Sequence, residues 1–509
     1  MKTDDLVRAL GNPRQGEFAY EQFIAQHQND PWARVDRLDA LAELKCLTDA
    51  GKMPAPPARR GTNTHVHTNE SFSIFRSASE AAWLGFTAGL DVLGINDHYT
   101  IGGHDEFRAA CRVLGLRATF SMEAVAVDAG YLAAGIRCND PGNPGRTYLS
   151  AKGIIRPLPD GSQGQRDLDM MKNALRQRNE AIVAKLNDLM ASLTPALRLS
   201  FDDVLALTPR GNTTERHVCQ ALAELVSRSI PDRAQRLDYL HRLAGPFEDK
   251  ELDTDASYQN MLRATLVKAG KPAYAEESPE GFLSWERMIA LYLEYGAIPA
   301  YPVLGNPIVE LEQDLDKLFS EIGARNLHAI EVIPHRNTRD RLAAILEHAA
   351  KHRYPVFNGT EHNTKTPMPL LDTWSGSDEF IEQFKLGADV LIGHQVLAGY
   401  AGLGYVDAAG KLTIADRDHG LSLFSYAGRM IQKPETLALL KKLGQRGALR
   451  LLLGLHRIAG GQAGTWGMLS RARITAKQLG GVKVKAGKAE FASIQAADFL
   501  KNWADGNVV

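Results

Sequence analysis

The sequence predicts an α/β fold in which parallel strands alternate with helices. Short apolar runs with strand composition alternate with helical patterns from Gly61 to about residue 127, and again from about residue 298 to residue 359. Strands joined through helices run parallel, with right-handed crossovers. Polar side chains suited to metal binding stand at several predicted strand ends. Periodicity alone leaves open whether the strands form an open sheet or a barrel.

Each predicted element has a local signal. The first stretch contains the strands TNTHV, DVLGIN and RATFSMEAVAV, separated by one helix over SASEAAWLGFTAGL and another that runs through Ala110. Ser77 and Glu80 have the spacing of a capping box at the start of the first helix. The second stretch contains the strands IPAYPV, LHAIEVI and YPVFNG, separated by helices over residues 308–322 and 339–352.

Helical segments flank and interrupt this pattern. Residues 1–58 predict a helical N-terminal extension that ends in the proline-rich stretch MPAPPARR. Residues 59–370 carry the alternating pattern, with a helical insertion at about 165–285. Residues 371–509 predict a mostly helical C-terminal extension. We expect that extension to cover the site or to form a subunit contact.

Composition excludes several classes of protein. The 509 residues include 59 Lys and Arg against 60 Asp and Glu, so we expect a small-molecule substrate and neither a nucleic-acid polymer nor a membrane as partner. Four cysteines without a CxxC pair argue against a zinc ribbon and a disulfide framework. The N-terminus lacks a secretory signal, and the apolar stretch 387–406 contains Asp389 and His394, which indicates buried core. We therefore expect a cytoplasmic protein, compatible with a homo-oligomer.

Candidate metal ligands stand on the first three strands. His65 and His67 are two residues apart, so on an extended chain they share one face. An HxH pair alone is more often two unrelated histidines. Asp97 and His98 follow the second strand, and Glu123 lies inside the apolar third strand, where an acid is costly unless it is paired or binds a cation.

Later strands repeat this pattern. Glu331 lies inside HAIEVI, and Glu361 and His362 follow YPVFNG. The carboxyl ends of parallel strands meet at one mouth, where α/β barrels hold their active sites. Imidazole with carboxylate suits one or two Zn²⁺, Mn²⁺ or Fe²⁺ ions, which can orient a phosphate and activate water. The alternative is that these are independent surface and capping residues.

The ordered motifs carry a family resemblance. HVH, INDH, MEAVAV, TTERHVCQAL, AIEV and GTEHN resemble the motifs of the PHP (polymerase and histidinol phosphatase) superfamily over about residues 61–369. They are most similar to the branch of bacterial nucleoside-phosphate and oligonucleotide phosphoesterases. The resemblance implies a distorted (β/α)7 barrel and metal-dependent phosphoester hydrolysis. It implies one metal bound by His65, His67, Glu123 and Glu361, and a second bound by His98 and His362.

The resemblance also implies catalytic roles for Asp97, which matches the acid beside the second histidine motif, and for His217, which matches a histidine near the substrate. Tyr301 replaces a histidine of the family's AHP motif. We expect its hydroxyl to point into the pocket and contact substrate or metal-bound water. The alternative is that Tyr301 only fills the space vacated by a lost metal.

Four further residues are candidates for contacting substrate: Arg178, Arg216, Glu331 and Arg336. Arg216 and Arg336 are the basic residues nearest the motifs, where a phosphate needs cationic partners. Arg178 falls near a basic position of the family that could hold an anion. A solvated arginine on a helix face is the alternative.

Departures from the family motifs limit the inference. Phe72 stands where the family has an acid or histidine, and Tyr131 or Leu132 stands where it has a histidine. We therefore expect one or two metals and not three. The leading hypothesis is a metal-dependent hydrolase, acting as a phosphoesterase on a small phosphorylated substrate. The alternatives are a metal-dependent hydrolase or lyase acting on an unphosphorylated sugar or polyol, and a catalytically silent PHP-like binding protein.

Overall fold

The computed structural model describes residues 2–17, 19–305 and 307–430, isolated positions between 441 and 448, and the segments 482–485 and 488–491. Seven strands form one sheet in chain order. They are β1 (Gly61–Val66), β2 (Leu90–His98), β3 (Arg117–Val127), β4 (Arg146–Lys152), β5 (Ile298–Val303), β6 (Ala329–Val332) and β7 (Val356–Asn358). An antiparallel hairpin follows much later, from β8 (Val482–Lys485) and β9 (Lys488–Phe491). The rest of the predicted extension beyond residue 430 lies outside the described residues.

Helices surround this sheet. The N-terminal helices are α1 (Thr3–Ala9), α2 (Tyr20–Gln26) and α3 (Arg37–Asp49). The helices after the first three strands are α4 (Ala78–Thr87), α5 (His104–Leu114) and α6 (Ala129–Ala134). Between β4 and β5 lie α7 (Gln163–Ala191), α8 (Phe201–Ala206), α9 (Glu215–Ser229), α10 (Arg233–Ala244), α11 (Asp255–Leu262) and α12 (Trp285–Glu294). The remaining helices are α13 (Glu310–Gln313), α14 (Leu315–Ala324), α15 (Arg339–His352), α16 (Ile381–Ala401) and α17 (Arg417–Met430).

The sheet closes into a barrel where β1 meets the end of β7. The backbone N–H groups of Thr360 and Glu361 donate to the His65 carbonyl at 3.2 and 3.0 Å, and the N–H of His67 donates to the Glu361 carbonyl at 2.7 Å. A bridge joins Val66 to Glu361 in the parallel sense. The predicted distorted seven-stranded α/β barrel is confirmed.

One strand was not predicted. β4 is antiparallel to both β3 and β5, so the six predicted strands all run in the same direction. The only helix between β3 and β4 is α6, which has 6 residues. A connection between parallel strands is longer and usually contains a full helix. Because β4 is antiparallel, the alternation of strand and helix that predicted the other strands is absent before it.

Two helix boundaries also refine the predictions. The helix predicted over residues 308–322 is divided at Asp314, whose backbone is extended and whose carboxylate caps α14 by accepting from the Lys317 N–H at 3.0 Å. Ser77 caps α4, since its hydroxyl accepts from the Glu80 N–H at 3.0 Å. The Glu80 carboxylate accepts from the N–H of Arg76 and does not complete the predicted capping box on Ser77.

The N-terminal extension and the helical insertion pack into different hydrophobic cores. Leu6 and Leu41 of the N-terminal helices belong to the same hydrophobic core as the barrel. The insertion has a core of its own, with Ile182, Leu222 and Tyr239 among its buried members. The insertion therefore folds around its own apolar side chains beside the barrel.

Helix α16 closes the end of the barrel opposite the carboxyl ends of the parallel strands. The Gln395 side chain accepts from the Phe120 N–H at 2.9 Å and donates to the Ala118 carbonyl at 3.1 Å, near the start of β3. A Cβ at Gly387 would collide with the Val356 carbonyl at the start of β7, so this close approach requires glycine. This part of the C-terminal extension therefore lies away from the mouth that it was expected to cover.

Most of the apolar stretch 387–406 is buried core, as predicted, although Tyr400 near its end is exposed. Ala388 and Ile392 pack on Val92 beneath the barrel. Among the described helices, none combines the length and the apolar character that crossing a bilayer requires.

The barrel interior contains a buried ion pair between Lys152 of β4 and Glu331 of β6, both 0% exposed. The Lys152 ammonium also donates to the Thr64 carbonyl at 3.2 Å, and the Ser150 hydroxyl donates to Glu331 at 2.9 Å. Burial would raise the pKa of Glu331, but His65 and Lys152 outweigh it and lower the pKa to about 2. Glu331 is therefore an ionised carboxylate inside the barrel.

Replacing Lys152 with methionine should lower the free energy of unfolding by about 3–5 kcal/mol, because the Glu331 carboxylate would remain buried without its cation. The measurement is the shift of the urea unfolding midpoint. Lys351→Met, at an exposed lysine of α15, should change stability by less than about 0.5 kcal/mol. The double variant K152M/E331Q should recover part of the loss. Equal effects at Lys152 and Lys351 would contradict the role of the buried pair.

Candidate metal centre

Three side chains converge inside the mouth of the barrel. His65 is the last residue but one of β1, and His67 directly follows that strand. Glu123 lies on β3. The two Nε2 atoms lie 3.1 Å apart, and the Glu123 carboxylate lies 3.1 Å from His67 Nε2 and 3.7 Å from His65 Nε2. All three residues are at most 4% exposed. Within the described residues, this is the group of His, Cys, Asp and Glu side chains whose ligand atoms all lie within 4.8 Å.

His98, the last residue of β2, adds a fourth donor. Its Nδ1 lies 3.1 Å from Glu123 Oε1, yet this buried nitrogen makes no hydrogen bond with any described residue. Leaving a buried polar atom unpaired is costly, and a cation would satisfy it. Four ligands at the usual bond lengths around one tetrahedral Zn²⁺ are themselves about 3.3 Å apart. The spacing and chemistry of His65, His67 and Glu123 therefore fit a single divalent ion, and His98 lies at the edge of that group, in contact with Glu123.

The electrostatics of the group favour metal binding. Burial lowers the pKa of His67 well below its usual value and the pKa of His98 to about 3, so both rings are neutral and offer a lone pair. Burial would also lower the pKa of His65, but Glu331 and Glu123 outweigh it and raise the pKa. The two carboxylates thus favour a positive charge at this point of the barrel.

Glu331 orients His65. Its Oε1 lies 2.9 Å from His65 Nδ1, which leaves Nε2 facing Glu123, His67 and the Asn96 amide nitrogen, the last at 2.9 Å. A carboxylate behind a histidine ligand fixes the tautomer and raises the basicity of the ligating nitrogen. We predicted that Glu331 contacts substrate. The structure instead places it behind His65, between that ring and Lys152.

Asp97 holds the loop that follows β1. Its carboxylate accepts from the Thr68 N–H and hydroxyl, both at 2.7 Å, and from the Ser71 hydroxyl at 2.6 Å. Ser71 in turn lies 3.0 Å from His67 Nδ1. Burial raises the pKa of Asp97 to about 7. Asp97, predicted as catalytic, therefore reaches His67 only through Ser71, which is the position of a residue that orients a ligand.

Two predicted ligands have other partners. The Glu361 carboxylate accepts from Arg336 at 2.7 Å and from Asn363 at 2.8 Å. His362 contacts the Thr360 hydroxyl at 2.8 Å through Nδ1 and a backbone carbonyl at 3.1 Å through Nε2. The structure therefore does not place Glu361 and His362 among the converging donors. Both residues have a left-handed backbone conformation, with φ of 62° and 61°. The direction of their side chains therefore does not follow from the direction of the strand before them.

Tyr301 faces the helix layer and not the barrel interior. In the register of β5 and β6, Glu331 pairs with Pro302, and neighbouring residues of a strand point to opposite faces. Tyr301 thus points away from the side where Glu331 lies. Its hydroxyl contacts Glu312 at 3.4 Å and its ring packs on Trp285, with 5.9 Å between centroids. The prediction that this hydroxyl points into the pocket is wrong, and a ring that packs in the helix layer does not fill the space of a lost metal either.

Two predicted residues of the insertion are held by local partners. Arg178 on α7 donates to Glu215 at 3.1 Å through both terminal nitrogens, so it is neither a free anion ligand nor a solvated arginine. His217, at 2% exposed, accepts from the Thr214 N–H at 3.0 Å and packs edge-on against Phe72 at 5.2 Å. Burial, and secondarily the charge of Lys365, lower the pKa of His217 to about 3. His217 is thus a neutral buried ring behind Phe72.

Two cations beside Phe72 have no carboxylate within ion-pair distance among the described residues. The Arg216 guanidinium lies 5.8 Å from the Phe72 ring centre, and the Lys365 ammonium lies 5.1 Å from it. Burial lowers the pKa of Arg216 to about 10 and also lowers that of Lys365. The charge of Arg216 is near enough to lower the pKa of His98. Arg216 is therefore a cation available to an anionic group beside the converging donors.

Sequence reasoning missed three residues that support this site: Lys152, Ser71 and Lys365. A signal was available for Lys152, since it interrupts the apolar run YLSAKGII just as Glu123 and Glu331 interrupt theirs. Ser71 and Lys365 give no such signal. Their contacts depend on the conformation of loops, which hydrophobic periodicity does not report.

No protein-family model and no curated protein matches this sequence. Among solved structures, a protein from Bifidobacterium adolescentis assigned as a metal-dependent phosphoesterase is 19% identical, with a TM-score of 0.44, over 65% of this chain and 96% of that one. An amidohydrolase from Chromobacterium violaceum, with bound sulfate and no metal, is 14% identical, with a TM-score of 0.40, over 59% of this chain and 87% of that one. Likeness at this level carries no information about activity, so the function has to be inferred from the residues of this chain.

Proposed function

We propose that this protein is a metal-dependent hydrolase that cleaves a phosphoester bond in a small molecule. The observation that carries the proposal is the convergence of three donors, His65, His67 and Glu123, beside a buried nitrogen of His98 that makes no hydrogen bond with the described residues. Nitrogen and carboxylate donors suit Zn²⁺, Mn²⁺ or Fe²⁺. The donor set supports one such ion.

Each neighbouring residue has a task in this mechanism. When bound, a divalent transition-metal ion supplies Lewis acidity that activates water and polarises a phosphoryl oxygen. Glu331 holds the His65 ring in position, and Ser71 does the same for His67. The charge of Arg216 is near enough to lower the pKa of His98, and this supports a role in pairing with phosphate oxygens and stabilising the negative charge that grows on them during cleavage.

The structure also bears on the two alternative hypotheses. The hypothesis of a hydrolase or lyase that acts on an unphosphorylated sugar or polyol relied on Tyr301 as a hydrogen-bonding acid or base. Tyr301 instead faces the helix layer. An unpaired cation such as Arg216 is better suited to an anionic substrate than to a neutral one. A catalytically silent binding protein would not need a converging donor set, so metal analysis tests that hypothesis.

His67→Ala and Glu123→Ala should each remove bound metal, because each deletes one of the three converging donors. Metal content is measured by mass spectrometry after expression and dialysis. His362→Ala is the matched control and should keep the metal, since both of its ring nitrogens contact other groups. Glu331→Gln should weaken metal affinity by about 10–100-fold, because the ligand ring loses its charged support. Equal metal in the wild type and in both donor variants would refute the site.

Arg216→Met should lower kcat/KM for phosphoesters by about 10²–10³-fold while metal content stays unchanged, because a cation near the growing phosphate charge is lost. The substrate is first found by screening phosphomonoesters, phosphodiesters and unphosphorylated sugars. Arg228→Met, at an exposed arginine of the same helix, serves as control and should act like the wild type. Activity on sugars alone, or no effect at Arg216, would count against the proposal.

Tyr301→Phe should retain wild-type turnover and metal content, because the only group removed points at Glu312 in the helix layer. Turnover is measured on the best substrate from the same screen. A large fall in turnover with intact metal would show that the phenol acts in the chemistry after all.

A further inference from the structure

A polar cleft of about 690 Å³ lies beside the barrel, between the segment that precedes α2, helix α7 and the loop that precedes α9. None of the candidate metal donors lines it. Its charged lining is mostly basic, with two acids: Arg14, Lys172, Arg176 and Arg210 against Glu17 and Asp202.

Lys172 is the cation of this lining that lacks a partner. No carboxylate of the described residues lies within ion-pair distance of its ammonium group, and burial lowers its pKa. The nearest salt-bridge partner of Arg14 is Glu106, at 3.8 Å. By contrast, Arg210 is paired closely with Glu70, at 2.6 Å. Lys172 is therefore a cation at this cleft without an ion-pair partner among the described residues, whereas Arg14 and Arg210 each have a carboxylate partner.

Asn212 supplies an independent observation. It lines the same cleft and is 3% exposed, and its side-chain nitrogen is a buried donor without a hydrogen-bond partner among the described residues. Native structures rarely leave such a donor unpaired, and an acceptor oxygen would satisfy it. A cation without an ion-pair partner and a free amide donor at one cleft suit the same kind of ligand, an anion with several oxygens.

We infer that this cleft binds a small phosphorylated molecule, at a site separate from the candidate metal centre. A phosphate group offers charge to Lys172, a planar contact to Arg14 and an acceptor oxygen to Asn212. The volume lies within the range of small-molecule sites, so an organic phosphate fits as well as the bare ion. The inference does not depend on the proposed function.

The cleft and the metal centre share a wall. The Asn212 N–H donates to the Glu70 carbonyl at 2.7 Å, and Arg210 binds the Glu70 carboxylate. Glu70 immediately precedes Ser71, which contacts His67. An anion bound at Asn212 would therefore rest on the segment that orients a metal ligand.

Calorimetric titration with inorganic pyrophosphate tests the inference. The full-length protein is first treated with EDTA and dialysed, so that bound metal does not contribute. Lys172→Met should weaken binding by about tenfold or more, because it removes a charge-assisted contact. Arg14→Gln provides a second variant from a different segment and should also weaken binding. Lys185→Met, on the same helix outside the cleft, should bind like the wild type.

Two results would overturn the inference. One is wild-type protein that does not bind pyrophosphate, or binds it no more tightly than the Lys172 variant. The other is binding that Arg216→Met abolishes and Lys172→Met leaves intact, which would place the anion at the barrel mouth. Metal content is measured in parallel on the untreated proteins. A wild type that binds pyrophosphate and holds no metal would overturn the proposed function and leave this inference standing.

Discussion

The structure depends on the compensation of charge between side chains that are buried inside the barrel. Glu331 and Lys152 are both fully buried, and an isolated charge there would be very costly. Each is stabilised by the other, and His65 supplies a third group that contacts the same carboxylate oxygen. The interaction that makes the interior stable is thus the one that sets the orientation of a candidate metal ligand.

Closure of the barrel serves the same site. The backbone of His65 and His67 hydrogen-bonds the segment that follows β7, so the histidine pair and the closing seam occupy one stretch of chain. A Cβ at Gly359 would collide with the His65 side chain, so only glycine lets the two segments meet this closely. Because the seam is formed by backbone groups, the Glu361 side chain is free to pair with Arg336.

The barrel and the insertion differ in whether their charged side chains have partners of opposite charge. The barrel interior holds groups that compensate one another, because its surroundings cannot solvate a lone charge. The insertion, which packs around its own core, presents partly buried cations such as Arg216 and Lys172 without carboxylate partners. Those cations stand at the barrel mouth and at the neighbouring cleft. The chain therefore keeps metal ligands and candidate anion contacts on separate structural units.

The sequence by itself determined the local features of this protein. Strand and helix periodicity identified six of the seven barrel strands, and polar residues inside apolar runs identified His65, His67, His98 and Glu123. Only the tertiary structure decided the direction of β4, the pairing of Lys152 with Glu331, and the side on which Tyr301 lies. Periodicity reports which face of an element is buried, since that depends on backbone geometry within a few residues. Which distant residue lies opposite a buried charge depends on strand register and loop conformation, which are set only when the whole barrel packs.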